Sequence, residues 1–327
     1  MTKKKYLALS MLASALWGVS YPVSYLALRL YGVNDLITLS YLVSTILLSV
    51  PLLARGFEVK SVVKGVAISP VNYALNYLYI RLTGDVDGLA ALAGSSYIIP
   101  LIIIDYMNSE SLNTRHVASA IMLLLSIYLL YQGYYGSLAI ALLMMVINLV
   151  YTIALDMLKE AETISMVFGQ SLGTLVISCL MALNLGETSH IGMFNVNYIY
   201  YPLVLSLVGV VLPYVLYSEA IKHIGPVSAS LTSSIEILAS IASSAFLSPP
   251  PVNPAAWLLL ALSMILINVE PPNRGNVNPM CINQPAINDE PNGVGISLGS
   301  ITSNINEQHG VKHISLLIHA PGRGVVL

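Results

Sequence analysis

Polar side chains recur at every fourth position in one otherwise apolar stretch, residues 227–246. They are Ser228, Thr232, Glu236, Ser240 and Ser244. Because residues four apart are neighbours on a helix surface, this spacing predicts a slowly winding polar stripe that contains one carboxylate. A carboxylate at the centre of a membrane-length helix costs about 2.5–3.5 kcal/mol on insertion scales, and such residues usually face a cavity or a partner. We therefore expect Glu236 to bind a substrate or to carry a proton, with hydrogen bonding to neighbouring Ser and Thr as the structural alternative.

Further polar and aromatic side chains within apolar stretches are candidates for the same cavity. This set comprises Trp17, Asn72, Asn76, Tyr97, Asn148 and Tyr151. Amides in lipid need hydrogen-bond partners, so the asparagines should face the interior of a bundle, where they bind substrate or join one helix to another. We expect Tyr97 to stack on or hydrogen-bond to a ligand, with a core aromatic as the alternative. Together with Glu236 and Thr232, these residues form the predicted substrate-binding set.

Other chemistries find little support in the sequence. Residues 169–173 read Gly-Gln-Ser-Leu-Gly and match the hydrolase nucleophile pattern, but that chemistry needs a strand–turn–helix context. The match lies in a hydrophobic stretch, where small residues serve helix packing. No Walker loop, dinucleotide fingerprint or H-E-x-x-H motif occurs, and the two cysteines, Cys179 and Cys281, do not form a metal site. We expect no metal, no cofactor and no nucleic-acid partner.

The composition is that of a polytopic membrane protein. Hydrophobic residues make up 56% of the 327 and charged residues only 9%, against about 25% charged in soluble domains. With about 20 apolar residues needed for each span, the sequence predicts ten spans: 6–30, 35–53, 61–82, 88–106, 115–131, 136–158, 163–183, 199–221, 227–246 and 254–269. If both termini are cytoplasmic, only Arg29 and Arg81 of the basic residues fall outside. The positive-inside rule therefore favours a multi-pass protein of the cell membrane with both termini in the cytoplasm.

The two halves of the chain show a weak resemblance to each other. Residues 92–97 read LAGSSY and residues 231–236 read LTSSIE, and each follows a helix with Tyr near its end and a short polar turn. Because five is an odd number, a second five-helix copy must enter the membrane from the opposite side, which produces an inverted repeat. We therefore predict an all-α integral membrane fold of ten helices in two inverted repeats, residues 1–134 and 135–270.

The composition changes abruptly after residue 270. Residues 271–327 are rich in Asn, Pro and Gly and show little apolar periodicity. Such a segment buries too little apolar surface to offset the entropy lost on ordering. We therefore predict a polar, disordered cytoplasmic tail, with a sequencing or frame artefact as the alternative.

The sequence as a whole resembles the EamA-type members of the drug/metabolite transporter superfamily. The resemblance rests on residues 15–18 (Ala-Leu-Trp-Gly), on residues 90–100 with Glu110 beyond them, and most strongly on residues 214–236 with their Ala-Ile-Lys-x-Ile-Gly-Pro turn. It covers residues 5–269. It implies ten helices in two five-helix repeats, with a central cavity between the repeats.

These observations favour one function over two alternatives. The favoured function is a secondary transporter that moves a small metabolite (an amino acid, an amine or a related compound) by alternating access, with protons as the candidate coupling ion. A lone acidic site suits an amine or cationic substrate, or proton exchange. The alternatives are a membrane enzyme or lipid-handling protein that uses the same cavity, and a scaffold that transports nothing. An enzyme is the less favoured, because no histidine lies deep within a predicted span to act as a base. The expected partners are a small-molecule substrate and the lipid bilayer, and the oligomeric state stays open.

Overall fold

The computed structural model describes residues 3–85, 114–130, 135–185, 198–247 and 254–268, and the regular secondary structure in them is entirely helical. The helices are α1 (Lys3–Ala27), α2 (Val33–Arg55), α3 (Val59–Asp85), α4 (Thr114–Leu130), α5 (Tyr135–Met157), α6 (Thr163–Leu185), α7 (Tyr200–Leu205), α8 (Leu212–Leu231), α9 (Ser234–Leu247) and α10 (Pro254–Asn268), with a π-helical segment, Ser206–Val211, between α7 and α8. The predicted all-α class is confirmed for these residues. The predicted span at 88–106 and the tail at 271–327 lie outside the described residues.

Five of these helical segments are long and apolar enough to cross a bilayer. They are Lys4–Ala27, Val33–Arg55, Ser137–Met157, Thr163–Leu183 and Tyr200–Pro226. On α2 the apolar side chains of Ile46, Val50 and Leu53 are more than half exposed, while Tyr41 and Ser44 are buried. Exposed apolar and buried polar side chains suit a helix whose outer face contacts lipid. The five segments correspond to five of the ten predicted spans.

Helices α3 and α6 approach each other closely through glycine. A Cβ on Gly65 would overlap the backbone of Met166, and a Cβ on Gly169 would overlap the backbone of Val62. A Cβ on Gly173 would meet a side chain of α3. Residue numbers rise together along the two helices, so they run parallel. Gly169 and Gly173 are the ends of the Gly-x-Ser-x-Gly pattern, which lies within a helix and allows close helix packing.

Helix α1 packs against α8 and α9. A Cβ on Gly18 would overlap the carbonyl oxygen of Glu236 and lie 2.7 Å from the Cβ of Ala239. Further towards the start of α1, Ser10 Oγ lies 2.6 Å from Thr232 Oγ1. The absence of a side chain at Gly18 therefore places α1 directly against the predicted polar stripe.

The chain between residues 212 and 247 departs from regular helix at two points. Gly225 has a φ of 76° and is followed by Pro226, so the kink falls where the Gly-Pro pair predicts it. The second departure is a turn at Thr232 and Ser233 that separates α8 from α9, whereas the sequence predicted one unbroken helix over 227–246. The hydroxyls of Thr232 and Ser233 each donate to a carbonyl three residues earlier, at 2.6 Å. Such local hydrogen bonds compete with helical geometry.

Candidate functional site

A cavity lies at the end of the bundle where α1 and α3 finish and α2 begins. Its walls come from α1, α2, α3, α5, the π-helical region with α8, and α9. The lining residues run from 17 to 24 on α1, from 37 to 41 on α2 and from 75 to 83 on α3. The centres of water molecules can occupy about 70 Å³ of the cavity, several times the ~10–15 Å³ that one water needs. The cavity therefore has room for several waters or for a small ligand.

Glu236 is the one charged side chain among the described residues that line the cavity. It lies in the first turn of α9, directly after the turn at 232–233, and is only 2% exposed. Its Oε1 accepts a hydrogen bond from the Tyr21 hydroxyl on α1 and another from the Tyr79 hydroxyl on α3, at 3.4 Å. Two phenol donors and the N-terminus of α9 thus lie at this carboxyl group, and both favour negative charge there. Nowhere in the described ranges do three His, Cys, Asp or Glu side chains converge as a metal site.

Aromatic rings cover much of the wall around Glu236. The rings of Tyr21 and Tyr79 stack with their centroids 5.3 Å apart. The Trp17 ring is edge-on to Tyr214 at 5.4 Å and to Tyr217 at 5.1 Å. Such rings can attract a cation to their faces, and they can also cover an apolar body.

The indole of Trp17 is oriented by a backbone carbonyl. Its Nε1 donates a hydrogen bond to the Gly209 oxygen at 3.0 Å. In an α-helix this carbonyl would accept from the N–H of residue 213, but Pro213 has no N–H. The surrounding segment, Ser206–Val211, is π-helical, a departure that is frequent at functional sites. The proline therefore removes one donor that would otherwise share the Gly209 carbonyl with Trp17.

Two asparagines on α3 join the cavity wall to the helices behind it. Asn76 lines the cavity and donates to the Tyr214 hydroxyl at 2.9 Å. Asn72, one turn earlier, is fully buried and donates to the Tyr41 hydroxyl at 2.8 Å and to Thr174 Oγ1 at 2.9 Å. Asn72 therefore supports Tyr41 from behind the wall, and the cavity-facing amide is that of Asn76.

Five of the eight predicted binding residues line the cavity. They are Trp17, Asn76, Asn148, Tyr151 and Glu236. Asn72 lies behind the wall, and Tyr97 lies outside the described residues. Thr232 lies on the contact between α1 and the turn at 232–233, with its hydroxyl 2.6 Å from Ser10 Oγ. The turn at 232–233 interrupts the helix that was predicted to run unbroken from Thr232 to Glu236.

Sequence reasoning missed most of the tyrosines of the site. Those that line the cavity without having been predicted are Tyr21, Tyr41, Tyr79, Tyr214 and Tyr217. A signal for them was available, because the chain has 20 tyrosines and only 4 phenylalanines. A buried tyrosine hydroxyl usually has a hydrogen-bond partner. Tyrosine within an apolar span therefore indicates a polar neighbour, and here that neighbour is Glu236, an asparagine or another side chain of the site.

Helices α3 and α6 are tied together at their N-termini, at the opposite end of α3 from the cavity. The backbone N–H of Glu162 donates to Ser61 Oγ at 2.7 Å, and the backbone N–H of Glu58 donates to Ser165 Oγ at 3.2 Å. The Glu58 carboxylate accepts from the Ser61 hydroxyl at 2.7 Å, and the Glu162 carboxylate caps its own helix by accepting from the Ser165 N–H at 2.6 Å. The two Glu-x-x-Ser segments thus form a reciprocal pair that fixes one helix start against the other.

Helix α8 joins this pair through Lys222. Its Nζ donates to Thr163 Oγ1 at 2.5 Å and also to the carbonyl oxygen of Ala161. The Glu219 carboxylate lies 3.8 Å from Nζ and accepts from the Thr163 hydroxyl at 2.7 Å. We call these residues the junction cluster: Glu58, Ser61, Glu162, Thr163, Ser165, Glu219 and Lys222. The cluster joins three helices at the end where the cavity does not reach.

Comparison with known proteins shows similarity in fold. No family model and no curated protein matches the chain. Fifteen chains of solved structures match it. One of these, a protein of known crystal structure, superimposes with a TM-score of 0.62 over 82% of this chain and 98% of that chain, at 18% sequence identity. The described residues form a helical bundle with membrane-length apolar helices around a cavity that contains one buried carboxylate, and the chain shares its fold with that protein.

Proposed function

We propose that this protein is a secondary transporter of the cell membrane, which moves a small metabolite by alternating access and uses Glu236 as the group that couples transport to protons. The observation that carries the proposal is the placement of the Glu236 carboxylate, which is buried at a helix break inside a cavity. Ionisable residues within membrane helices mark substrate and proton pathways. Interrupted helices are also the usual way in which transporters build their binding sites.

The two ends of the bundle differ in a way that supports alternating access. The cavity occupies the end where α3 finishes, and the junction cluster joins α3, α6 and α8 at the other end. A transporter must close one side of its site while the other side communicates with water. In the orientation that the basic residues favour, both termini are cytoplasmic, the junction cluster is the cytoplasmic closure, and the cavity lies towards the outside.

The proposal includes ten helices in two inverted repeats, residues 1–134 and 135–270, as in the EamA-type proteins that the sequence resembles. Support comes from the pairing of helices that would be equivalent. The second helices of the two halves, α2 and α6, pack together, and so do the last helices, α4 and α10. Ser119 Oγ donates to the Ser263 carbonyl at 2.8 Å, and Ser263 Oγ donates to the Ser119 carbonyl at 2.9 Å. Such reciprocal contacts are the mark of a two-fold axis.

The test is flux into proteoliposomes that contain the purified protein. Amino acids, amines including polyamines, nucleosides and sugar phosphates are screened with and without an imposed pH gradient. We expect one class to accumulate only when both the protein and the gradient are present. Glu236→Gln keeps the shape of the side chain but cannot exchange a proton, so it should abolish gradient-driven accumulation while exchange of substrate for substrate persists. Glu160→Gln, which changes an exposed carboxylate near the start of α6, should behave like the wild type.

The same experiment separates the alternatives. A membrane enzyme or lipid-handling protein would return a chemically altered or relocated compound, and a scaffold would give no flux with any class. The lining favours transport over catalysis, because the described residues around the cavity include no His, Lys or Cys to pair with Glu236. Equal gradient-driven flux for wild type and Glu236→Gln would contradict the coupling role of the carboxylate.

A further inference from the structure

The charge inventory of the cavity is one-sided. Among the described residues that line it, Glu236 is the one acidic residue and none is Lys, Arg or His. The lysine nearest to Glu236 in sequence is Lys222. Its Nζ donates hydrogen bonds to Ala161 and Thr163 at the junction cluster, away from the cavity. In the sequence, residues 86–113 likewise contain acids and no Lys, Arg or His. A ligand that carries a carboxylate or a phosphate would therefore bring its negative charge into a low-dielectric site that already holds one.

The Glu236 carboxylate has a second oxygen beside the one that the two phenols bind. Oε1 accepts from both Tyr21 and Tyr79, and Oε2 is the other oxygen of the same carboxylate. A carboxylate oxygen has two acceptor positions, and an ammonium group has donors and no acceptor. Charge-assisted hydrogen bonds of this kind are about twice as strong as neutral ones. Oε2 is therefore the position at which an ammonium N–H of a ligand would be held.

The rings beside Glu236 suit the same charge. Tyr21 and Tyr79 direct their hydroxyls to the carboxylate and stack ring against ring at 5.3 Å, and Trp17 lies in the same wall. Aromatic faces attract ammonium groups within about 6 Å of the ring centroid, and Trp does so most strongly. Aromatic rings also cover the apolar part of a ligand, which is favourable because apolar surface is removed from water. The wall can thus hold a cationic head and an uncharged organic body together.

One hydroxyl of the cavity lining lacks a hydrogen-bond partner among the described residues. Ser40 on α2 lines the cavity and is 5% exposed, and its Oγ has no hydrogen-bond partner among the described residues. Buried hydroxyls are nearly always bonded. A neutral polar group of a ligand, or a water that accompanies it, would satisfy Ser40.

We infer that the cavity selects small organic monocations, meaning amines without an acidic group, and rejects zwitterions and anions. The ammonium binds Oε2 of Glu236, the body lies against Trp17, Tyr21 and Tyr79, and a neutral polar group reaches Ser40. This inference rests on the proposed function and narrows its substrates: amines remain, while amino acids and sugar phosphates do not.

Binding can be measured without transport, because Trp17 reports on the cavity. The chain has two tryptophans, Trp17 and Trp257, so Trp257→Phe leaves the indole of the cavity wall as the single tryptophan emitter. The purified full-length variant in detergent is titrated with three ligands of the same ring and chain: phenethylamine, phenylalanine and 2-phenylethanol. The first is a monocation, the second adds a carboxylate, and the third replaces the ammonium with a neutral hydroxyl.

We expect phenethylamine to change the Trp17 emission at the lowest concentration. Phenylalanine should bind about 100-fold more weakly, because like charges placed together in a buried site cost several kcal/mol and each factor of ten in affinity is about 1.4 kcal/mol. In Glu236→Gln the preference for phenethylamine over 2-phenylethanol should disappear, whereas Glu160→Gln should keep it. The ligand series on Trp257→Phe alone decides the question if Glu236→Gln does not fold.

Equal binding of phenylalanine and phenethylamine would overturn the inference, and so would an unchanged preference in folded Glu236→Gln. These results are distinguishable from failure of the proposed function. Selective binding of phenethylamine with no flux of any amine into proteoliposomes would contradict the proposed transport function and support the cation-binding site. Flux of an amino acid or a sugar phosphate, without selective amine binding, would contradict the cation-binding site and support the proposed transport function.

Discussion

The Tyr21 hydroxyl on α1 donates a hydrogen bond to the Glu236 carboxylate on α9, although the two residues are 215 positions apart in the chain. Tyr79 on α3 donates to the same oxygen at 3.4 Å. Three helices from distant parts of the sequence thus meet at one carboxylate oxygen. Under the proposed function, a proton or a cation at Glu236 reduces the negative charge to which these two phenols donate, so it biases the positions of the helices that carry them.

Removing the Tyr21 hydroxyl should weaken both the fold and the coupling. Tyr21→Phe keeps the ring that stacks on Tyr79 but leaves Glu236 with one phenol donor. A hydrogen bond to a charged group contributes about 1.5–3 kcal/mol, so the thermal midpoint in detergent should fall, and gradient-driven flux should fall with it. Tyr25→Phe, one turn further along α1 and outside the cavity lining, is the matched control. Equal losses in the two variants would show that the Tyr21 hydroxyl has no special role.

The Gly-x-Ser-x-Gly pattern on α6 should respond to mutation as a packing surface. Gly169→Ala places a Cβ against the backbone of Val62, and overpacking of this kind typically costs about 1–3 kcal/mol. Ser171→Ala removes a buried hydroxyl that has no partner among the described residues, so it should be neutral or stabilising. Thermal unfolding of the two variants in detergent gives the comparison. A stable Gly169→Ala together with an inactive Ser171→Ala would instead favour a nucleophilic serine.

The stability of the folded protein should depend on pH through ionisation of the Glu162 carboxyl in the junction cluster. Burial alone would raise the pKa of the Glu162 carboxyl, but hydrogen bonds from the Ser165 side chain and from the backbone N–H groups of Ser165 and Ile164, together with the charge of Lys222, outweigh burial and hold this pKa below its ordinary value of 4.5. A lowered carboxyl pKa stabilises the folded state fully above the ordinary value, and the stabilisation is lost as pH falls through the folded value.

Glu162→Gln should therefore be less stable than wild type at neutral pH, and the difference should shrink as the pH falls below 4.5 towards the folded pKa. Thermal unfolding in detergent across this range measures it. Glu160→Gln, at an exposed position two residues earlier, should follow the wild type at every pH. A Glu162→Gln deficit that persists unchanged in acid would mean that the side chain acts through packing and not through its charge.

The orientation of the bundle can be tested on one helix. Lys60 and Arg81 are exposed and lie near opposite ends of α3. In a background with Cys179 and Cys281 replaced by Ser, Arg81→Cys should react with a membrane-impermeant thiol reagent in intact cells. Lys60→Cys should react only after permeabilisation, because the positive-inside rule places the start of α3 in the cytoplasm. Labelling of Lys60→Cys in intact cells would reverse the proposed orientation, with the junction cluster then on the outside.

Much of the local structure could be predicted from the sequence. Apolar composition and length predicted helices, and separate spans were predicted on either side of the Gly225–Pro226 pair, where the structure is non-helical at Gly225. The stripe on residues 227–246 predicted that Glu236 faces inward, and its side chain is 2% exposed. These features depend on neighbours within one or two helical turns, so periodicity and turn chemistry are sufficient to find them.

The tertiary structure decided which polar groups meet. Thr232, one turn from Glu236 in the predicted helix, contacts Ser10 instead, and the carboxylate takes its donors from Tyr21 and Tyr79. These partners are 157 to 222 residues apart in sequence. Their meeting depends on how closely α1 approaches α9, which the missing side chain of Gly18 permits. The sequence by itself determined which faces of the helices are polar, because that follows from spacing along one helix. Only the packing of one helix on another determined the cavity and the partners of its carboxylate.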